Sequence, residues 1–78
     1  MDDKLLNIFK NVFLDLADKS GEMISKVSRD EVETWDSMNH FVLISSIEEE
    51  FGISLSDTEI LEINSFAMAK GIIQSKTD

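Results

Sequence analysis

Three residues in the middle of the chain, Asp36, Ser37 and His40, are of the types that form a hydrolytic triad. Such a triad needs the carboxylate to hold the imidazole nitrogen that faces away from the serine. Asp36 adjoins Ser37, whereas His40 follows about one helical turn later, so the carboxylate is badly placed for that task. No second strand or loop is evident that could supply an oxyanion hole. We therefore expect no catalytic residues, and we interpret the protein as a non-enzyme.

Asp36 and Ser37 lie where a loop is predicted to become a helix. Asp is a preferred N-cap because its carboxylate accepts hydrogen bonds from the N–H groups of the first turn. The Ser37 hydroxyl would then lie on the surface at the positive end of the helix dipole. A phosphate ester on that hydroxyl would meet unpaired N–H groups. On these residues alone, an ordinary serine that caps the helix is the simpler interpretation.

The helix that follows, from Ser37 to about Phe51, has two apolar faces when its residues are placed at about 100° intervals. Its core stripe consists of His40, Leu43, Ile44, Ile47 and Phe51. We expect His40 at the edge of that stripe, with one ring nitrogen reaching water or a backbone group. The second face consists of Met38, Phe41 and Val42, on the same side as Ser45, Glu48 and Glu49. Exposed apolar patches with polar rims usually mark docking surfaces, although Phe41 alone could equally widen the core stripe.

The acidic run Glu48–Glu50 has two interpretations. A charge run on a helix is usually a solvated face. Carboxylates near a helix C-terminus also oppose the dipole, and this local cost suggests a further use for them. We therefore include Glu48 and Glu49 in the predicted docking face. We expect Glu50 to contribute less to docking, because it points away from Glu49.

This part of the sequence resembles the acyl carrier proteins. The resemblance is carried by Asp36-Ser37-Met38, then by Leu43, Ile44, Ile47, Glu48-Glu49-Glu50-Phe51, Gly52 and Ile53. The family's motif is Asp-Ser-Leu. The similarity extends from Trp35 to about Ile73, and it includes the first helix only through its apolar pattern.

The resemblance implies that Ser37 carries 4′-phosphopantetheine through a phosphodiester, attached by a phosphopantetheinyl transferase. The thiol of that arm would hold acyl groups as thioesters for fatty-acid, polyketide or other biosynthetic enzymes. Asp36 would cap the helix beside the attachment site. Carboxylates of this helix would contact basic docking surfaces on acyl-transfer, ligase and synthase enzymes.

Several positions differ from the family's usual pattern and leave the pathway open. Met38 replaces the usual Leu, Asn39 a frequent Asp, Val42 a common Glu, and Ser45 a frequent apolar residue. Trp35 and His40 are unlike the housekeeping fatty-acid carriers. A specialised carrier is therefore at least as well supported as the main fatty-acid one. The alternatives are an aminoacyl or peptidyl carrier and an unmodified helical interaction module.

The predicted elements form an all-α, four-helix bundle of the acyl-carrier type, with three longer helices and a short third one. The first helix is expected from Asp3 to about Asp18, and Gly21 is expected to stop it. A long connection to Trp35 would be pinned to the bundle by apolar residues: Met23, Ile24, Val27, Val32 and Trp35. The Ser-x-x-Glu pattern at Ser28 predicts a helical turn within it.

The second half of the chain has equally clear boundary signals. Gly52 is expected to end the second helix as its C-cap glycine. Ser56 opens a capping-box pattern for the short helix, which we expect to end near Ile63. Its residues Ile60, Leu61 and Ile63 are expected to cover the core. The last helix is predicted from Phe66 to about Gln74, with Phe66, Ala69, Ile72 and Ile73 facing inward.

Composition narrows the class of protein further. The chain has 78 residues, which fits one domain spanning 1–78, and its formal net charge is −9. This charge makes nucleic acid and anionic membranes improbable partners and favours basic protein surfaces. The absence of Cys and the single His exclude thiolate sites and the usual zinc sites, so no metal is expected.

An acidic start without a basic region and the lack of a long apolar run predict a cytoplasmic protein without membrane insertion. A carrier with several partners is expected to be a monomer.

Overall fold

The computed structural model describes residues 2–77, and the side chains of residues 3–77. The fold is all-α, with 71% of the described residues in α-helices or 3₁₀ turns. The described helices are α1 (Asp2–Val12), α2 (Gly21–Ile24), α3 (Ser37–Phe51), α4 (Asp57–Glu62) and α5 (Phe66–Thr77), with 3₁₀ turns at Leu14–Leu16 and Arg29–Glu31. The three longer helices and the short α4 occur in the predicted order, but the long connection contains the additional helix α2. Within residues 2–77, none of the helices is both long enough and apolar enough to cross a membrane.

The first helix is shorter than predicted. It ends at Val12 and not near Asp18, because Phe13 adopts an extended conformation (φ −109°, ψ 104°) before the 3₁₀ turn. This change of direction allows both Phe13 and Leu16 to be buried. The prediction that Gly21 stops the first helix is also wrong. Gly21 is instead the first residue of α2, whose N-cap Ser20 accepts a hydrogen bond from the Met23 N–H.

The long connection is anchored at several points. Ile24, Val32 and Trp35 are buried as predicted, but Met23 is 57% exposed and does not pin the loop. Its neighbour Ile24 takes the inward position of α2. The predicted helical turn begins at Ser28, where the Glu31 carboxylate accepts the Ser28 N–H at 3.1 Å as in a capping box and the Glu31 N–H donates to the Ser28 carbonyl. Two backbone hydrogen bonds join the connection to the start of α5, from the Arg29 N–H to the Asn64 carbonyl and from the Phe66 N–H to the Val27 carbonyl.

Aromatic side chains form the centre of the core. Phe9 contacts Phe13, Trp35 and Phe66 edge-on, with ring centroids 5.0 to 5.6 Å apart. Trp35 also stacks on Phe13 at 4.8 Å. Such contacts add to the free energy of burial. The aromatic cluster therefore fixes the chain immediately before Asp36 against α1 and α5.

The second half of the chain follows the predicted boundaries closely. Gly52 has the left-handed conformation (φ 63°) and caps α3, and Ser56 caps α4 within a capping box. α5 continues to Thr77 and not only to Gln74. Leu61 is 82% exposed, so the prediction that it covers the core is wrong. Ile63 is buried there as predicted, and Ile60 is partly buried against the core.

Candidate functional site

The N-terminus of α3 begins as predicted, with Asp36 as its cap. Asp36 has extended backbone angles (φ −97°, ψ −177°), and its Oδ1 accepts the Asn39 N–H at 2.8 Å. The Asp36 carbonyl accepts the His40 N–H at 2.8 Å. Ser37 is therefore the first residue of the helix, which is the position the sequence predicted for it.

Ser37 is exposed, and its surroundings are open to an anion. The hydroxyl has no hydrogen-bond partner anywhere in residues 2–77. The N–H groups of Ser37 and Met38 likewise meet no acceptor in that part of the chain, as expected for the first turn of a helix. Together with the helix dipole, these N–H groups favour negative charge at the Ser37 oxygen. A phosphodiester would fit here without displacing any described contact.

The segment before Ser37 is held in place by the long connection. Asn39 Nδ2 donates to the Thr34 carbonyl at 2.6 Å, and the Thr34 N–H donates to Asp15 Oδ2 at 3.3 Å. Arg29 Nε donates to the Trp35 carbonyl at 3.3 Å. These bonds fix both sides of the Trp35–Ser37 junction, so Ser37 is exposed on a supported backbone.

Asp36, Ser37 and His40 do not form a hydrogen-bonded triad. The His40 ring is buried, with 7% of its surface exposed. Its Nδ1 lies 2.9 Å from Trp35 Nε1 and its Nε2 lies 2.8 Å from the Ile60 carbonyl oxygen. Both ring nitrogens are therefore engaged away from Ser37. The expectation that one ring nitrogen reaches a backbone group is confirmed, and the contact with Trp35 was not foreseen.

The second apolar face of α3 is exposed. Met38, Phe41 and Val42 are 76%, 64% and 45% exposed, so Phe41 does not widen the core stripe. The three side chains line a shallow depression together with Ser45, Ser46 and Glu49. The core residues Leu43, Ile44 and Ile47 are buried on the other side of the helix, whereas Phe51 is only partly buried.

The glutamates of α3 have different surroundings. Glu49 is exposed at the edge of the depression. Glu48 is half-buried, and its Oε2 accepts the Leu55 N–H at 2.8 Å. This hydrogen bond supplies a structural reason for a carboxylate near the helix C-terminus. Glu50 lies toward α1, beside Ile8 and Asn11.

Helix α4 extends the apolar surface in a way that was not predicted. Phe41 lines a second depression with Ile60, Leu61 and Asp57. Leu61 is the most exposed large apolar residue of the described chain. Helical spacing carries a signal for this, because Ile60 and Ile63 share the inward face and Leu61 falls about 100° from Ile60. We call Met38, Phe41, Val42 and Leu61 the apolar surface.

Charge is distributed unevenly along the chain. All 7 Lys and Arg residues lie outside residues 30–69, a range that contains most of the 16 acidic residues. This range includes both helices of the apolar surface, with Glu49 and Asp57 at its edges. The surface therefore favours a partner with positive charge around apolar side chains.

No group of three or more His, Asp or Glu side chains within residues 2–77 is arranged to hold a metal ion. Comparison with known proteins found no match to a protein-family model, a curated protein or a solved structure.

Proposed function

We propose that the protein is an acyl carrier, with 4′-phosphopantetheine attached to Ser37. A phosphopantetheinyl transferase would move the phosphopantetheinyl group from coenzyme A to the serine hydroxyl. The arm supplies a thiol that carries an acyl group as a thioester. The protein itself tethers the cargo and so raises its effective concentration near each partner enzyme.

The observation that carries this proposal is the environment of Ser37. Its hydroxyl is exposed and has no partner in the described chain, and the first-turn N–H groups beside it are free to receive a phosphodiester. A serine that served only as a cap would accept a first-turn N–H with its hydroxyl, and here the Asp36 carboxylate accepts the N–H of Asn39 instead. The Ser37 hydroxyl is therefore accessible to a modifying enzyme, and its modification would break no described hydrogen bond.

The residues around Ser37 support the same function. The Asp36 cap fixes the start of α3, and the hydrogen bonds to Thr34 and Trp35 hold the preceding segment. The apolar surface begins at Met38, next to the attachment residue, and reaches α4. Its acidic surroundings favour transferases, ligases and synthases with basic docking surfaces. Such interfaces are small enough for rapid exchange between partners. We place the carrier in the cytoplasm as a monomer.

The test is incubation with coenzyme A, Mg²⁺ and a broad-specificity phosphopantetheinyl transferase, followed by intact-mass measurement. We expect a gain of one 4′-phosphopantetheine group. Ser37→Ala should abolish the gain without disturbing the fold, because the hydroxyl makes no described contact. Ser54→Ala is the matched control, since Ser54 is also exposed and has no hydrogen-bond partner in residues 2–77. A gain in Ser37→Ala, or none in the wild type, would contradict the proposal.

Two other functions stay as alternatives. The exposed apolar surface is independent of Ser37 and would also suit an interaction module that is never modified. Such a module would keep its biological role in Ser37→Ala, whereas a carrier would lose it. An aminoacyl or peptidyl carrier would share the modification, and loading assays with acyl and aminoacyl ligases would separate it from an acyl carrier.

A further inference from the structure

His40 connects three parts of the fold through one buried ring. The indole Nε1–H of Trp35, two residues before Ser37, donates to Nδ1 of His40 at 2.9 Å. On the opposite side, Nε2 of His40 lies 2.8 Å from the carbonyl oxygen of Ile60 in α4. The planes of the two rings lie at 23° to each other and their centroids are 6.2 Å apart, which fits rings joined edge to edge by this hydrogen bond. We call this arrangement the Trp35–His40–Ile60 relay.

The partners of His40 determine its tautomer. An indole nitrogen only donates hydrogen bonds, and a carbonyl oxygen only accepts them. Nδ1 must therefore be the acceptor, and Nε2 must carry the hydrogen that is donated to Ile60. A ring with its hydrogen on Nδ1 would leave both the Trp35 N–H and the Ile60 carbonyl unpaired in a buried place, which is costly.

Helix α4 depends on this bond more than a longer helix would. It has six residues, and none of them is fully buried. Because α4 ends at Glu62, the Ile60 carbonyl is one of those that a helix end leaves without an intrahelical donor. The His40 Nε2–H donates to this carbonyl in place of a backbone N–H. Beyond its capping box, α4 is also held by the ion pair between Glu59 and Lys76, with N and O 3.0 Å apart.

We propose that His40 is a positioning residue that holds α4 against α3, so that Leu61 and Phe41 face the same partner as Ser37. Ile60 carries the hydrogen bond, and its neighbour Leu61 extends the apolar surface. The same imidazole is bonded to Trp35, which lies just before the attachment residue. One ring thus sets the relative position of the docking helix α4 and the Ser37 junction. The kinetic consequence rests on the proposed carrier function, whereas the placement of α4 does not.

The first test needs no variant. NMR of ¹⁵N-labelled wild-type protein should show His40 as the Nε2–H tautomer, with a Trp35 indole N–H protected from hydrogen exchange. A ring protonated on Nδ1 alone, or an indole N–H that exchanges freely, would overturn the relay.

Two amide substitutions separate the two halves of the relay. In His40→Gln, the longer side chain can keep an N–H donor near the position of Nε2, toward Ile60. In His40→Asn, the shorter side chain can keep an acceptor near the position of Nδ1, toward Trp35. We expect His40→Asn to speed hydrogen exchange of the Ile60 and Ile63 amides about fivefold, the effect of losing one hydrogen bond. His40→Gln should leave those amides close to wild type and expose the indole N–H.

Kinetics of Ser37 modification then test the positioning role. We expect His40→Asn to raise the KM of the transferase for the carrier with little change in kcat. His40→Gln should have a KM close to that of the wild type. The double variant His40→Asn/Leu61→Ser should have the KM of Leu61→Ser alone, because both changes remove Leu61 from the interface. Thr58→Ala, on an exposed and uncharged residue of the same helix, is the matched control and should change neither the hydrogen exchange nor the KM.

The outcomes are distinct. Equal exchange and equal KM values in the Asn and Gln variants, or independent effects in the double variant, would overturn the positioning role. If the wild type is not modified at all, the proposed carrier function fails. The exchange measurements would still decide whether His40 holds α4.

Discussion

The Asn39 N–H donates to Asp36 Oδ1 at 2.8 Å, and this bond makes Ser37 the first residue of α3. Replacing Asp36 by Ala removes the cap and should lower the free energy of unfolding by about 1 kcal/mol. Asp36→Asn should lose much less, because its side-chain oxygen can still accept the Asn39 N–H. Denaturant unfolding followed by circular dichroism measures both. Asp18→Ala, at an exposed site without described contacts, is the control. An equal loss of unfolding free energy in this variant would show that the effect at Asp36 does not come from the cap.

The two glycines of the second half of the chain should respond in opposite directions to alanine. Gly52 has a positive φ of 63°, whereas Gly71 lies within α5 with open space around the position of a Cβ. Gly52→Ala should destabilise the protein by about 1 kcal/mol, because a side chain is strained in the left-handed region. Gly71→Ala should stabilise it by about 0.5–1 kcal/mol, since alanine favours the helix. Melting temperatures that shift in the same direction would contradict the described conformations.

Glu59 should make the stability of the protein depend on pH in the acidic range. The Ser56 backbone N–H donates to Glu59 Oε1, and Lys76 bonds the same oxygen, so the pKa of this carboxyl lies below its usual value. A lowered pKa in the folded state stabilises the protein above the usual glutamate pKa. That contribution is lost as the pH falls through the lowered value.

Carboxyl chemical shifts measured against pH should therefore show Glu59 titrating below the other glutamates. In Glu59→Gln, the difference in unfolding free energy from wild type should be largest at neutral pH and shrink toward acid. A difference that does not depend on pH would show that the carboxylate charge has no part in this bond. Glu62→Gln is the control on the same helix.

The apolar surface should contribute to docking and not to stability. Leu61→Ser and Phe41→Ser should change the free energy of unfolding by no more than about 0.5 kcal/mol, because both side chains are largely exposed. Each should slow modification of Ser37 when the concentration of the carrier protein is too low to saturate the transferase. Leu14→Ser is a matched control, since Leu14 is 75% exposed and lies in the 3₁₀ turn after α1. An equal effect at Leu14 would show that the loss is not specific to this surface.

Local signals predicted much of the fold. The caps at Asp36 and Ser56 and the glycine at Gly52 act through neighbouring backbone groups, and they stand where the sequence placed them. The core stripe of α3 followed from helical spacing. The exposure of Ser37 followed from its position after the Asp36 cap, and that of the second apolar face followed from helical spacing.

Features that depend on distant residues could not be predicted. α1 ends early because Phe13 leaves the helix and packs on Trp35, a preference that no helical pattern shows. Glu48 was assigned to docking, yet its carboxylate bonds the Leu55 N–H of the following loop. That docking role stays a prediction, with Glu49 the more accessible of the two. The exposure of Leu61 and the partners of His40 depend on where α4 lies against α3, which sequence spacing does not specify.

The most direct test of the carrier function is to identify the residue that the transferase modifies. After reaction with coenzyme A and the transferase, digestion and tandem mass spectrometry should place one 4′-phosphopantetheine on the peptide containing Ser37. The Ser37→Ala protein should stay unmodified under the same conditions. Modification of a different serine, or none in a folded wild-type sample, would contradict the claim that this protein is a carrier.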